Sequence, residues 1–316
     1  MDQSQSTNPA QLNTPVALLI FNRPNTTDRV FEAVRQVAPK KLFVVADGPR
    51  PDRPDDAEKC KAARAIVERV DWPCELFTNF SDENLGCGLR PATGISWVFE
   101  NVEQAIILED DCLPDPAFFR FCEELLEKYR DDQRVMHVGG SNFLFGRAQI
   151  EDSYYFSRYP LCWGWATWRR AWRHFDFELR DWPSLRQNKW LDQFLGDKRA
   201  SWHWSRLFDY VRERGQSHIW DYQWILSCWR RDGLCITPSV NLVSNVGYGK
   251  EATHTRRRSR FAEVPREAMS FPLRHPKTVA RNVAADEIRQ NDLCPSLVLA
   301  YAKEIARKSF GKLLRK

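Results

Sequence analysis

Ala105-Ile106-Ile107-Leu108-Glu109-Asp110-Asp111-Cys112-Leu113-Pro114 runs four apolar residues straight into three consecutive carboxylates. A short apolar run that ends at a polar break reads as a buried strand of a parallel sheet. The acids then stand at the strand's carboxyl end, where open α/β sheets bind ligands. Three adjacent carboxylates repel one another, and a shared cation accounts for their charge most simply. Carboxylate oxygens suit Mg²⁺ or Mn²⁺. Taken without its context, the triplet reads equally as an acidic loop or a helix cap, since Asp115-Pro116 can open a helix over residues 117–129.

The flanking sequence favours the strand. Val16-Ala17-Leu18-Leu19-Ile20-Phe21 is a second apolar run, ending at Asn22-Arg23-Pro24-Asn25. Thr26-Thr27-Asp28 can cap the helix after it, with Val30, Phe31, Val34 and Val37 on one face. Residues 41–46 form a further strand ending at Asp47-Gly48-Pro49-Arg50, followed by a helix over 56–69 and a short strand over 74–78. A loop with Asn84-Leu85-Gly86-Cys87-Gly88 leads to a helix over 90–101 and then to the acidic strand. Strand alternates with helix through this part of the chain, which predicts an α/β fold: a mostly parallel sheet flanked by helices, with right-handed crossovers.

Beyond the acids, strands are expected over 134–138 and 154–157, and a last one over 234–238. Between them Trp163-Gly164-Trp165-Ala166-Thr167-Trp168 opens a helix-rich, Trp-rich section over 168–230, with Trp168/Trp172 and Trp220/Trp224 four residues apart. Residues 1–13 are polar and expected to be disordered. One folded unit is expected over 14–255. A basic extension over 256–316 follows, holding the run Arg256-Arg257-Arg258-Ser259-Arg260 and an amphipathic helix from Pro295.

Composition bounds the function. A net charge of +5 permits an anionic partner without demanding nucleic acid, and the acidic strand ends argue against a nucleic-acid binder. Nine Cys, an odd number without metal-ligand spacing, suit reduced thiols rather than a disulfide framework. With no apolar span and no signal-peptide pattern, a cytoplasmic location is expected. The basic run and the C-terminal helix are a solvated surface, or a peripheral contact with anionic lipid on the cytoplasmic face.

Phe21-Asn22-Arg23-Pro24, Val45-Ala46-Asp47-Gly48, Asn84-Leu85-Gly86 and Leu108-Glu109-Asp110-Asp111, in that order, resemble the nucleotide-sugar half of GT-A fold, family 2-like glycosyltransferases. The likeness covers residues 14–255. The acidic motif reads Glu-Asp-Asp, as in N-acetylglucosaminyltransferases of that fold, rather than the usual Asp-x-Asp.

That resemblance implies a metal-dependent, inverting transfer of sugar from a nucleoside-diphosphate sugar, a UDP-sugar, to a glycan or glycolipid hydroxyl, in cell-envelope polysaccharide synthesis. It implies that Asn22, Arg23, Asp47, Asn84, Gly86, Arg90, Glu109 and Asp110 bind the donor. Asp47 would accept from the base, Arg23 would pair with the diphosphate, and Asp110 would contact ribose or donor sugar. Asp111 and His254 would hold Mn²⁺ or Mg²⁺. Asp221, between Trp220 and Trp224, falls where the family's catalytic base falls. Desolvation by the rings would raise its pKa toward neutrality. Trp163, Gly164 and Trp165 would face the acceptor.

Each residue has a plainer structural reading: a turn-starting Asp at 47, turn glycines at 86 and 88, a helix cap at Asp221, core rings at Trp163 and Trp165. Two other functions compete. A sugar-nucleotide-forming nucleotidyltransferase would want a Gly-rich basic loop after the first strand, where this chain has Asn22-Arg23-Pro24-Asn25. A catalytically silent nucleotide-sugar-binding module would not need Asp111, Asp221 and His254 together.

Overall fold

The structure is a computed structural model that describes residues 11–213, 218–248 and 260–294. Strand and helix alternate as expected through β1 (Val16–Ile20), α1 (Pro24–Val37), β2 (Lys41–Ala46), α2 (Asp56–Ala65), β3 (Glu75–Phe80), α3 (Gly86–Asn101) and β4 (Gln104–Glu109). Then come β5 (Cys112–Pro114), α4 (Pro116–Lys128), β6 (Val135–Gly139), β7 (Tyr154–Ser157) and β8 (Trp165–Trp168). Four helices follow, α5 (Arg169–Trp172), α6 (Trp182–Gln187), α7 (Trp190–Leu195) and α8 (Lys198–Glu213). The described chain ends with α9 (Asp221–Trp229), β9 (Leu234–Pro238), β10 (Val243–Asn245) and α10 (Val283–Leu293).

Eight strands form one sheet in the order β3-β2-β1-β4-β8-β6-β9-β7. The first four are parallel, while β8 runs antiparallel between β4 and β6, and β7 closes the far edge antiparallel to β9. The period of two decides the packing. Val16, Leu18 and Ile20 pack with α1 and α4 on one face, and Ala17 and Leu19 pack with α3, α5 and α9 on the other. With both faces covered, the strands lack the polar alternation of a half-exposed sheet. A third core holds Trp182, Trp204 and Trp229 among α6 to α9, in the helix-rich section.

Several expectations shift. The helix after β1 starts at Pro24, and the Thr26 and Thr27 hydroxyls donate back to the Arg23 carbonyl rather than capping its start. Pro at the first turn costs no hydrogen bond there. Leu12 is buried and its N–H donates to the Val37 carbonyl, so the expected N-terminal tail is anchored from residue 11 on. Trp168 closes a strand and is not helically paired with Trp172.

The strand over 234–238 is not the last, because β10 follows and pairs antiparallel with β5. Residues 260–294, expected within a separate basic extension, pack on the sheet. Phe156 bridges to Arg281, and the buried Asp286 accepts from the Ser157 hydroxyl at 2.5 Å. The remaining tail and basic-run residues, 1–10, 256–259 and 295–316, lie outside the described residues. No helix among the described residues is long and apolar enough to cross a membrane. No disulfide joins any of the nine cysteines, all of which are described.

Trp165 sits at the hub of the second face. It is fully buried, stacked on His137 at 5.0 Å and on Trp220 at 5.7 Å. Trp165→Ala is expected to cost roughly 3–5 kcal/mol in urea or guanidinium unfolding, the range for a truncated core aromatic.

Candidate functional site

The strand order places β1 beside both β2 and β4, so α1 and α3 leave the sheet on opposite faces and a crevice opens at the carboxyl ends. A cavity of about 510 Å³ occupies it. Its walls are the turn after β1, the ends of β2 and β4, the start of α3, and residues 245–248 after β10. Of the expected site residues, Arg23, Asp47, Asn84, Gly86, Arg90, Glu109, Asp110, Asp111 and Trp163 line it. Asn22, Gly164, Trp165 and Asp221 are not among the lining residues, and His254 lies outside the described residues.

β4 ends at Glu109, and the three carboxylates fan out from there. Asp110 turns toward β1, where it accepts the Phe21 N–H at 3.1 Å. Asp111 faces Arg23, whose Nη1 lies 2.6 Å from Asp111 Oδ2 and 3.4 Å from Asp110 Oδ1. Burial, and then the mutual repulsion of the cluster, pushes the Glu109 carboxyl well above its usual range. Burial likewise raises Asp110, against the pull of Arg23. One guanidinium does not offset three carboxylates. Arg23 itself is held above its ordinary value because the acids outweigh its own desolvation.

The β5–β10 ribbon brings a second wall to Asp111. Asn245 Nδ2 donates to Asp111 Oδ1 at 3.3 Å, and the Val246 N–H donates to the Asp111 carbonyl at 2.8 Å. Gly247 crosses so closely that a β-carbon there would sit 2.0 Å from Asp111 Oδ2. Only glycine fits this approach. The Tyr248 hydroxyl, pushed up to about 12 by burial and then by the Asp111 charge, completes this side.

Asp47 has a different occupation from the one expected. Its Oδ1 accepts from the Gly48 and Leu85 N–H groups at 3.0 and 2.8 Å, and its Oδ2 from the Gly86 N–H and the Asn84 amide at 2.9 and 3.0 Å. A carboxylate has about four lone-pair sites, so none remains for a base N–H. Asp47 is the tie that folds the Asn84–Gly86 turn onto the end of β2. Gly86 opens α3 with φ of +81°, a conformation glycine adopts without penalty.

Arg90 is likewise committed. It is buried, with its guanidinium on the Ala46 and Asn79 carbonyls, which removes it as a diphosphate ligand. The Asn22 amide donates to Asp56 at 2.7 Å, which locks the start of α2.

The aromatic candidates separate. Trp165 is a core residue, which corrects the expectation of an acceptor platform there. Trp163 lines the cavity, 6.0 Å from the Tyr248 ring in an edge contact. Gly164 has φ of +65° against Val243 and shapes the turn between the two tryptophans.

Asp221 is the first residue of α9, and its Oδ1 accepts the Tyr222 N–H at 3.0 Å. Burial raises its pKa to about 6. Its charge adds to the upward push on Glu109, after burial and the charges of Asp111 and Asp110.

Sequence reasoning passed over Arg50, Asn245 and Tyr248, all at the cavity. Arg50 closes the Asp-Gly-Pro-Arg turn after β2, lies 5.4 Å over the Phe21 ring, and pairs with Asp56 at 2.6 Å. Its place directly after the Asp47 turn is the signal that would have found it. Asn245 and Tyr248 depend on the β5–β10 pairing, three residues on each strand, which no periodicity reveals.

The chain matches no protein-family model and no curated protein. Among solved structures it is similar to CMP:2-keto-3-deoxy-manno-octonic acid synthetase complexed with CTP, at 14% identity and a TM-score of 0.32 over 52% of this chain and 77% of that one. It is also similar to UDP-glucose pyrophosphorylase complexed with UDP-glucose, at 11% identity and a TM-score of 0.27 over 51% and 70%. Likenesses this distant carry no argument about reaction or substrate.

Asp47→Asn tests the tie. It sets an amide donor against backbone N–H groups, so chemical denaturation is expected to show a loss of about 1–3 kcal/mol.

Proposed function

We propose that the protein is a glycosyltransferase that moves a sugar from a nucleoside-diphosphate sugar, a UDP-sugar, to a hydroxyl of a glycan or glycolipid, with inversion at the anomeric carbon. The supporting observation is the Glu109-Asp110-Asp111 cluster, which lines the cavity at the switch point of the sheet, together with Asp221, a carboxyl poised near neutrality outside that lining whose charge is felt at Glu109.

No three His, Cys, Asp or Glu side chains among the described residues converge on one metal position; what favours a hard divalent cation is the negative charge that three clustered carboxylates leave against Arg23. Asp111, exposed to the cavity, would hold Mn²⁺ or Mg²⁺, with His254 from the segment after Tyr248 as the second ligand. Bound there, such a cation would supply Lewis-acid neutralisation of the charge that develops on the departing nucleoside diphosphate.

The chain's own residues do the rest. Asp110 and Arg23 fix the end of β1 against β4, and the Asn84–Gly86 turn gives the donor a close backbone wall. Asp221 accepts the proton of the acceptor hydroxyl as that oxygen attacks. A base must be ionised to act, so the rate is expected to fall as pH drops through about 6. Trp163 presents an apolar ring at the cavity's edge for a sugar face.

Calorimetry of UDP, GDP and CDP, each with and without Mn²⁺, tests the donor reading on wild type and Asp111→Ala. Binding of one nucleotide that depends on Mn²⁺ and vanishes in the variant is the expected result. Binding that ignores the metal would remove Asp111 and His254 from their roles. Failure of all three nucleotides would remove the donor site.

For the base, Asp221→Asn is expected to lower kcat roughly 10²–10⁴-fold, the usual range for general-base loss. The acid limb near pH 6 should disappear, and nucleotide affinity should stay unchanged.

A further inference from the structure

Beyond the Trp163 wall lies a second chemical feature that the transfer reaction does not use. The loop after β6, residues 260–261 and α10 bring three guanidinium groups around one carboxylate. Arg147 donates to both oxygens of Asp292, at 2.9 and 2.5 Å. Arg260 pairs with the same carboxylate. Arg289, one turn earlier on α10, adds a third positive charge, and its Nε and Nη1 are buried with no hydrogen-bond partner among the described residues. Its guanidinium carbon lies 5.0 Å from the centroids of both Phe143 and Phe261, two rings that themselves meet edge to face at 5.1 Å.

Buried guanidinium N–H groups without acceptors are rare and ask for a reason. Stacking on rings offsets part of the desolvation, but it brings no negative charge. Among the described residues, three arginines against one aspartate leave two positive charges in excess within this cluster. Arg260 is half exposed and carries that excess to the surface.

The surrounding surface is suited to a sugar. Phe145 is 42% exposed, holds φ of +51°, and lies 5.5 Å from the Arg260 guanidinium. A strained backbone that exposes an aromatic ring costs stability, and such outliers gather at ligand sites. The patch is also packed against the cavity wall, through a buried ring. Phe143 meets Trp163 edge to face at 5.4 Å, and Trp163 lines the cavity itself.

We propose that this patch is an acceptor subsite for an anionic group, a phosphate or carboxylate carried by the acceptor a short way from the hydroxyl that attacks. Arginine suits both groups, because its planar fork matches two oxygens at once. Phe145 and Phe261 would take the apolar face of the adjoining sugar. The proposal rests on the transferase reading only for the word acceptor, since the patch binds or does not bind regardless of what happens at Asp111.

The test is titration of trigalacturonate against its neutral methyl ester, and of glucose 6-phosphate against glucose, each with and without UDP and Mn²⁺. Wild type is expected to favour each anionic partner by about tenfold, the scale of one charge-assisted hydrogen bond. Arg260→Gln is expected to abolish that preference while leaving UDP binding and the unfolding midpoint unchanged. Asp292→Asn removes the internal competitor at constant size and is expected to tighten anion binding. A merely cementing role for the cluster would not produce that gain.

Equal binding of charged and neutral partners overturns the proposal, as does a preference that survives Arg260→Gln. Arg260-dependent capture on phosphatidylglycerol vesicles without any preference among soluble sugars would assign the patch to lipid headgroups and overturn the acceptor subsite. If UDP fails to bind but the anion preference holds, the donor reading falls and the subsite stands. If UDP binds and the preference is absent, only the subsite falls.

Discussion

Everything around the cavity answers to one electrostatic constraint: three carboxylates crowded at the end of β4, opposed among the described residues by the guanidinium of Arg23. Burying like charges together is costly, and in the interior each is satisfied only by donors held in place. The fold supplies them from separate elements. Phe21 gives an N–H from the end of β1, and Asn245 gives an amide from β10. Gly247 has no side chain, which lets the chain pass at contact distance from Asp111. Such a cluster is stable only while all of these pieces are present, so its tight surroundings are what keep its charge available for a ligand.

The framework that carries it was largely readable in the sequence. The β1, β2 and β4 runs are apolar on both faces, and each ends abruptly in polar residues, so their order, their parallel pairing and the location of the acids all follow from pattern alone. The residues that proved otherwise did so for a shared reason. Asp47 and Arg90 stand at strand and helix ends where a ligand is expected. Tertiary neighbours, the Leu85 and Gly86 N–H groups and the Ala46 and Asn79 carbonyls, take their hydrogen bonds instead. A sequence shows which group can bond; it does not show which partner reaches it first.

The Trp-rich section shows the same limit at the level of elements. Trp165-Ala166-Thr167-Trp168 is too short and too aromatic to declare itself as a strand, and it follows a glycine that breaks any period. Only the vacancy between β4 and β6 makes it one. The contacts of α10 with β7, and of residues 260–274 with the turns beside them, are equally invisible in advance. They join Glu263 to Asn245, Glu267 to Asn241 and Arg274 to Ser153 through hydrogen bonds, and Arg281 to Phe156 through one bridge.

β8 has one further consequence. It runs against its neighbours, so its first residues rather than its last reach the edge where β4 ends, and Ile107 pairs directly with Trp165. The acidic wall and the turn bearing Trp163 therefore hang from adjacent, hydrogen-bonded strands, about 4.8 Å apart. The sheet acts as a fixed gauge between them. Divergence in what this cleft admits is then open to the loops that overhang it, and closed to the distance between its two rails.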